Sequence, residues 1–313
     1  MNSLVIDLGG TFVKMGIIRG GEVLEFKKIP SHSGCNLEGL LDEITDFFHQ
    51  FKSKHHLELT DFRGIGMAVP GIIDFNEKRV LSINKKYEQA IEFEFEKWAR
   101  EVLNLPIVLE NDAKAALVGE IGFGSAKNET DAVLMTFGTG IGTAVFINNQ
   151  LLRGKHHQAG CLGGHLTTQS NHFACTCGNT GCVEASSSNW AMPIVAKERS
   201  GFDQSLLAQE KIIDYYSVIQ CAKQQDPFSV AFLNYLLDQW STGITNMIHA
   251  YDPEVVILSG GLMNAKESVL PELQKRVKER TWTPWGDVRF IVAEHPEKSV
   301  LLGLEALLMQ QSN

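Results

Sequence analysis

The chain has 313 residues, 44% of them hydrophobic and 21% charged, an ordinary balance for a folded globular protein. That excludes disorder, collagen and a coiled coil over the whole chain, and about 150 residues per domain gives roughly two domains. Lys and Arg number 28 against 37 Asp and Glu, a net charge of -9, which argues against a non-specific nucleic-acid binder, because phosphate neutralisation needs clustered cations. The first ten residues carry no basic segment, and no run approaches about 18 apolar residues, so a cytoplasmic chain without a membrane span is expected.

In chain order, short apolar runs predict strands at residues 3–7, 13–18 and 23–29, the last two separated by the Gly20-Gly21 turn. Leu37, Leu40, Leu41, Ile44, Phe47, Phe48 and Phe51 then fall at helical spacing. A strand at 64–69 ends at Pro70-Gly71. Another at 105–109 runs into Glu110-Asn111-Asp112 and an alanine-rich helix to about Ile121. The second half opens the same way, with strands at 132–137 and 143–147 joined by a glycine turn. A loop-rich stretch carries the cysteines, and Leu233, Leu236, Leu237, Trp240, Ile244, Met247, Ile248 and Tyr251 mark a long amphipathic helix. A strand at 255–258 runs into Ser259-Gly260-Gly261, residues 288–293 form a late strand, and 299–311 a closing helix. This order reads as two α/β lobes with a cleft between them. Residues 1–112 form the smaller, to which the last helix (298–313) returns, and residues 113–297 form the larger.

Three glycine turns stand out. Asp7-Leu8-Gly9-Gly10-Thr11 lies between two strands, where glycines let backbone N–H groups approach an anion and Thr11 adds a hydroxyl donor. Asp7 suits a magnesium ion, and Lys14 is a weaker phosphate candidate that could face away on its strand. A tight hairpin needs the glycines too. Gly138-Thr139-Gly140-Ile141-Gly142 repeats the device in the second lobe, without the Walker Gly-Lys-Ser/Thr and without the following helix of a Rossmann turn. Two such turns could grip a polyphosphate from both sides of a cleft. Gly260 and Gly261 suit close packing of an adenosine, although a plain helix-start turn reads as well.

Cys175-Thr176-Cys177-Gly178-Asn179-Thr180-Gly181-Cys182 is C-x-C-x4-C, and His165 lies ten residues upstream. Three thiolates and an imidazole make a closed tetrahedral zinc site, structural rather than catalytic. His172 is the weaker alternative for the fourth ligand. Such a site would hold nearby residues rigidly, Glu184 among them. Asp112 opens a helix, where aspartate commonly serves as a cap, but a hydroxyl attacking a γ-phosphoryl group needs a positioned carboxylate to take its proton.

These residues together resemble the ROK family of repressors, open reading frames and sugar kinases. Asp7-Leu8-Gly9-Gly10-Thr11-x-x-Lys14 is similar to its first phosphate motif, and Gly138-Thr139-Gly140-Ile141-Gly142 to its second. Glu110-Asn111-Asp112-Ala113 resembles its catalytic motif, and Ser259-Gly260-Gly261 its adenosine motif. Gly164-His165 with Cys-x-Cys-Gly-x-x-Gly-Cys-x-Glu, ending at Glu184, resembles its zinc and sugar signature. The resemblance implies a two-lobed actin/hexokinase-like (ribonuclease H-like) α/β fold with an interlobe cleft. It also implies ATP- and Mg²⁺-dependent phosphorylation of a hexose, usually at the 6-hydroxyl, with a structural Zn²⁺ held by His165, Cys175, Cys177 and Cys182. Asp112 would be the general base, Asn111, His165 and Glu184 would contact sugar, and Gly71 and Asn84 match sugar-loop positions more weakly. A homodimer is implied by family analogy.

One stretch departs from the family. Its usual Ala-Gly-Glu-x-Gly-His is replaced by Ala159-Gly160-Cys161-Leu162-Gly163-Gly164-His165, with the glutamate absent and one residue inserted. Neither Cys161 nor Leu162 accepts hydrogen bonds as a carboxylate does, so a substrate other than plain glucose is expected. The competing reading is a sugar-sensing regulator on the same fold. Such regulators carry an N-terminal DNA-binding domain, and here the phosphate motif begins at residue 7. An ATPase of the same superfold is a third reading, against which the zinc signature argues.

Overall fold

A computed structural model describes residues 1–31, 37–83, 87–170 and 172–311. The chain divides into two units, one of Met1–Asn128, Arg153–Ala159 and Glu294–Asn313, the other of Glu129–Leu152 and Gly160–Ala293.

In the first unit, β1 (Asn2–Leu8), β2 (Phe12–Arg19) and β3 (Glu22–Pro30) form an antiparallel meander. To the other side of β1, β4 (Phe62–Val69) and then β7 (Ile107–Asn111) pair in parallel, giving the order β3-β2-β1-β4-β7. Every residue of β1 is buried, as expected of a central strand covered on both faces, which explains the apolar Leu4-Val5-Ile6 at its centre. Leu4, Ile6 and Leu8 pack with the apolar stripe of α1 (Leu37–Lys54), from Leu40 to Phe51. The opposite face receives the closing helix. A short hairpin, β5 (Gly71–Asp74) with β6 (Arg79–Ile83), follows β4 where the sequence reading ends the strand at Pro70.

Helix α2 (Asp112–Gly122) crosses the closing helix at a distance that only glycine permits. A Cβ on Gly119 would lie 1.9 Å from the carbonyl oxygen of Ser299, and one on Gly303 1.8 Å from that of Ala115. This crossing places α2 in the first unit. The boundary expected at Asp112 therefore moves to the segment after Asn128.

The second unit repeats the plan. Strands β8 (Ala132–Phe137), β9 (Ile141–Ile147) and β10 (Gln150–Leu151) form a meander, and β11 (Val255–Gly260) and β12 (Arg289–Val292) continue in parallel from β8. The order β10-β9-β8-β11-β12 matches that of the first sheet position for position. The chain also forms α3 (Val183–Ser187), α4 (Tyr215–Lys223), α5 (Pro227–Tyr251), α6 (Lys266–Arg280) and the closing α7 (Pro296–Gln311). Leu236, Trp240, Ile244 and Met247 of α5 pack on Val133, Met135 and Phe137 of β8. Helix α5 begins at Pro227, six residues before its first expected apolar position, because Asp226 caps it through Oδ2, which accepts from Ser229 N–H at 2.9 Å. Among the described residues, no helix is long and apolar enough to cross a membrane.

Candidate functional site

The first unit gathers the predicted acid–base and phosphate residues at the ends of β1 and β7. Asp7 and Lys14 are direct partners across the β1–β2 pair, with Lys14 Nζ 3.0 Å from Asp7 Oδ2. The lysine candidate for a phosphate contact thus has its ammonium on Asp7. Burial pushes the Asp7 carboxyl up, and Lys14 offsets only part of that. A magnesium ion suits this position, because a buried carboxylate at a strand end gains from a second cation. Gly9, Gly10 and Thr11 form the turn, with Gly10 and Thr11 exposed.

Asn111, not Asp112, caps α2. Its Oδ1 accepts from Lys114 N–H at 3.1 Å, and its Nδ2 donates to the carbonyl of Gly71 at 3.0 Å. Asp112 therefore falls in the first helical turn, where its Oδ1 accepts from Ala113 N–H at 2.8 Å. Its carboxyl is pushed up to about 6, chiefly by desolvation and next by the charge of Asp7. The Ala113 N–H and Lys14 act in the opposite sense. The structure brings Asp7, Lys14 and Asp112 into one electrostatic group and joins Asn111 to Gly71. Asn84 lies outside the described residues.

Sequence reading missed what holds this corner. Glu110 is fully buried, and its Oε2 accepts from Arg153 Nε at 3.0 Å and Nη2 at 2.7 Å, while its Oε1 accepts from Asn111 N–H. Lys114, also buried, donates from Nζ to the His157 carbonyl at 2.8 Å. These bonds tie residues 153–159 to the strand that carries Asn111. Glu110→Gln should cost about 2–5 kcal/mol, because it leaves the guanidinium without its charge partner; urea denaturation checks this.

In the second unit, the second glycine turn joins β8 to β9. Gly138 N–H donates to the Gly140 carbonyl at 3.0 Å, and Thr139 is exposed. Gly260 pairs in register with Phe137, so the third turn, with Gly261, adjoins the second. Glu184, in the first turn of α3, is buried against the same turn. Its Oε2 accepts from Ile141 N–H at 2.8 Å and its Oε1 from Trp190 Nε1 at 3.3 Å. A Cβ on Gly140 would lie 2.4 Å from Oε2.

The zinc-ligand candidates come together. The ligand atoms of His165, Cys175, Cys177 and Cys182 all lie within 4.8 Å of one another. Cys177 Sγ is 3.7 Å from Cys182 Sγ, and Cys175 Sγ is 3.5 Å from His165 Nδ1. Tetrahedral zinc, with bonds of about 2.3 Å to sulfur and about 2.05 Å to nitrogen, sets these spacings at about 3.8 and 3.6 Å. Burial pushes the Cys175 and Cys182 thiols up, so a bound cation is what would hold them as thiolates. Asn179 Nδ2 lies 3.6 Å from Cys182 Sγ, a supporting donor of the kind that orients metal ligands. His172 instead lines a cavity of about 470 Å³ with Phe173, Trp190, Ile194 and Glu198. The altered stretch arcs over Thr143, whose hydroxyl donates to the Gly160 carbonyl at 2.7 Å and accepts from Gly163 N–H at 2.8 Å. The stretch ends in a short 3₁₀ turn, Gly163–His165.

A model of the ROK family matches residues 3–311. The chain belongs to the ROK family. Among ROK relatives, the xylose repressor of Bacillus spizizenii is 29% identical over 310 residues, covering 98% of this chain and 77% of the repressor. The glucokinase of Halalkalibacterium halodurans is 25% identical over 316 residues, covering 98% of this chain and 95% of the enzyme. The crystal structure of the ROK hexokinase from Thermus thermophilus matches with a TM-score of 0.81 and 26% identity over the full length of both chains. The fold is the actin/hexokinase-like α/β fold of that ROK enzyme, and the relatives comprise both sugar kinases and repressors.

Proposed function

We propose that the protein is an ATP-dependent sugar kinase that transfers the γ-phosphoryl group of ATP to the 6-hydroxyl of a hexose or hexose derivative. The observation that carries the reading is the Asp112 carboxyl, placed by the Asn111 cap in the first turn of α2 and pushed up to about 6 beside Asp7. Such a group is ionised at neutral pH, yet is a stronger base than an ordinary aspartate. In this reading Asp112 takes the proton of the sugar hydroxyl as its oxygen forms the new bond to phosphorus. The bond to the bridging oxygen breaks, and ADP leaves.

Backbone N–H groups of the turns at Gly9-Gly10-Thr11 and Gly138-Thr139-Gly140 hold phosphates, while Gly260 and Gly261 lie along the adenosine. Asp7 would hold Mg²⁺, which would supply charge neutralisation at the phosphates, and Lys14 favours the ionised form of Asp7 against its burial. Gly71, Asn84, Asn111, His165 and Glu184 contact the sugar, and Zn²⁺ held by His165 and the three cysteines would fix the loop that carries His165 and leads into the helix of Glu184. The hexokinase and glucokinase relatives support this reading. With no carboxylate between Gly160 and His165, the preferred substrate is not plain glucose. The reading places the enzyme in the cytoplasm as a homodimer.

The xylose repressor relative favours a second reading, a sugar-responsive regulator. ADP release with ATP and Mg²⁺ separates the two. The panel is glucose, mannose, fructose, allose, N-acetylglucosamine, N-acetylmannosamine and disaccharides, with Asp112→Ala as control. A kinase turns over one sugar far faster than the rest, and only with Asp112 present. Sugar binding that survives Asp112→Ala without any turnover in the parent chain would replace the kinase with the regulator.

A further inference from the structure

Trp190 belongs neither to a glycine turn nor to the zinc-ligand set, yet it is tied to both sides of Gly140, directly to Thr139 and through Glu184 to Ile141. Its backbone N–H donates to the Thr139 carbonyl at 3.1 Å, and its indole Nε1–H donates to Glu184 Oε1 at 3.3 Å. Glu184 Oε2 in turn accepts from Ile141 N–H at 2.8 Å. These bonds close a ring that runs from Thr139 through Trp190 and Glu184 back to Ile141. The turn needs such outside support. Gly138 has nothing within 4 Å of the place a Cβ would take, and glycine-rich backbone has little stiffness of its own. A carboxylate held by one donor can rotate about its last bond, whereas two donors on separate oxygens fix its plane. The indole ring packs with Phe173 beside Cys175, Cys182 and Ala185, so it has a seat that does not depend on its N–H.

We propose that Trp190 is a positioning residue for the second glycine turn, acting through Glu184 to hold the backbone of residues 138–142 in the shape that receives a nucleotide phosphate. The proposal rests on the sugar-kinase reading and adds a residue that neither the motifs nor the zinc signature supply.

The test is direct binding of ADP with Mg²⁺ by titration calorimetry, without sugar, so that it does not depend on turnover. Trp190→Phe keeps an aromatic ring and removes the donor. It should weaken ADP by about fivefold to fiftyfold, the loss expected for one charge-assisted hydrogen bond. Glu184→Gln, which offers the indole no second carboxylate oxygen, should weaken ADP to a similar degree. The double variant should be no weaker than the poorer single one, because both open the same ring. With the sugar the enzyme prefers, KM for ATP should rise in Trp190→Phe by a similar factor while kcat changes less than about threefold.

Unchanged ADP affinity in Trp190→Phe, or losses that add in the double variant, would overturn the proposal. Should Trp190→Phe fold poorly, Glu184→Gln carries the same comparison, and unchanged ADP affinity there would overturn it equally. A parent chain that binds no ADP at all would remove the kinase reading and the proposal together. Binding in the parent with none of the variant effects removes the proposal alone.

Discussion

Asp112→Ala is expected to lower kcat by about 10²–10⁴ while ADP and ATP still bind, because the proton of the attacking hydroxyl loses its acceptor and the phosphate contacts remain. The pH profile gives an independent check. The Asp112 carboxyl is raised from 3.8 to about 6, so kcat/KM should be level above that value and fall as pH drops through it. The same shift has a consequence for stability of the opposite sense. A carboxyl that holds its proton more tightly folded than unfolded opposes folding while it is ionised, and the penalty is relieved as pH falls through about 6. Asp112→Asn should therefore be slow and yet melt at a higher temperature at pH 7. The favourable place of an acid in a helix's first turn, about 0.3–1 kcal/mol, opposes this gain but is already outweighed in the raised value. A variant with near-native kcat would remove Asp112 as the base. One that is both slow and less stable would make the carboxylate a structural group.

The second large effect is expected at the zinc loop. Protein purified without chelator should carry close to one zinc per chain, measured by atomic emission, and Cys182→Ser should carry far less. Removing the metal should lower Tm by more than about 5 °C, since structural zinc contributes folding free energy outright and a domain of this size shifts by about 2–4 °C per kcal/mol. The loss should spread beyond the loop. Cys182 is the residue before α3, and Glu184 in that helix holds Ile141 N–H at 2.8 Å. A zinc content near zero, or a Tm indifferent to chelation, would overturn the assignment of His165, Cys175, Cys177 and Cys182.

What could be read in the sequence was local. The inner strands of both meanders announce themselves by short apolar runs such as Leu4-Val5-Ile6 and Ala132-Val133-Leu134-Met135, and the zinc ligands lie within eighteen consecutive residues, 165–182, in a spacing that restricts what they can bind. Asp112 was legible as an acid at a helix start. The choice between it and Asn111 as the cap was not, because both side chains cap well and backbone angles decide. The β5–β6 hairpin escaped because its strands are short and half exposed, without a regular alternation. Nothing local pairs Glu110 with Arg153, or Lys114 with the carbonyl of His157. In each case the partners stand 43 residues apart and meet only through the fold. Trp190 went unnoticed for the same reason, since its indole acts on a residue six positions back and its backbone on one 51 positions away.

The seam between α2 and α7 bears on how the chain comes off the ribosome. The last helix fills the groove at Gly119 and also covers the face of the first sheet around Gly66, where a Cβ would lie 2.7 Å from the Cβ of Leu304. All of the second unit is synthesised before α7 emerges. The first unit, although translated first, waits half-covered with an apolar sheet face open to water, while the second has every strand it needs. The first unit is therefore begun first but completed only with the last residues of the chain. Chains stalled or clipped ahead of Pro296 would leave that sheet face bare, a surface for chaperones to hold and for aggregation to seize.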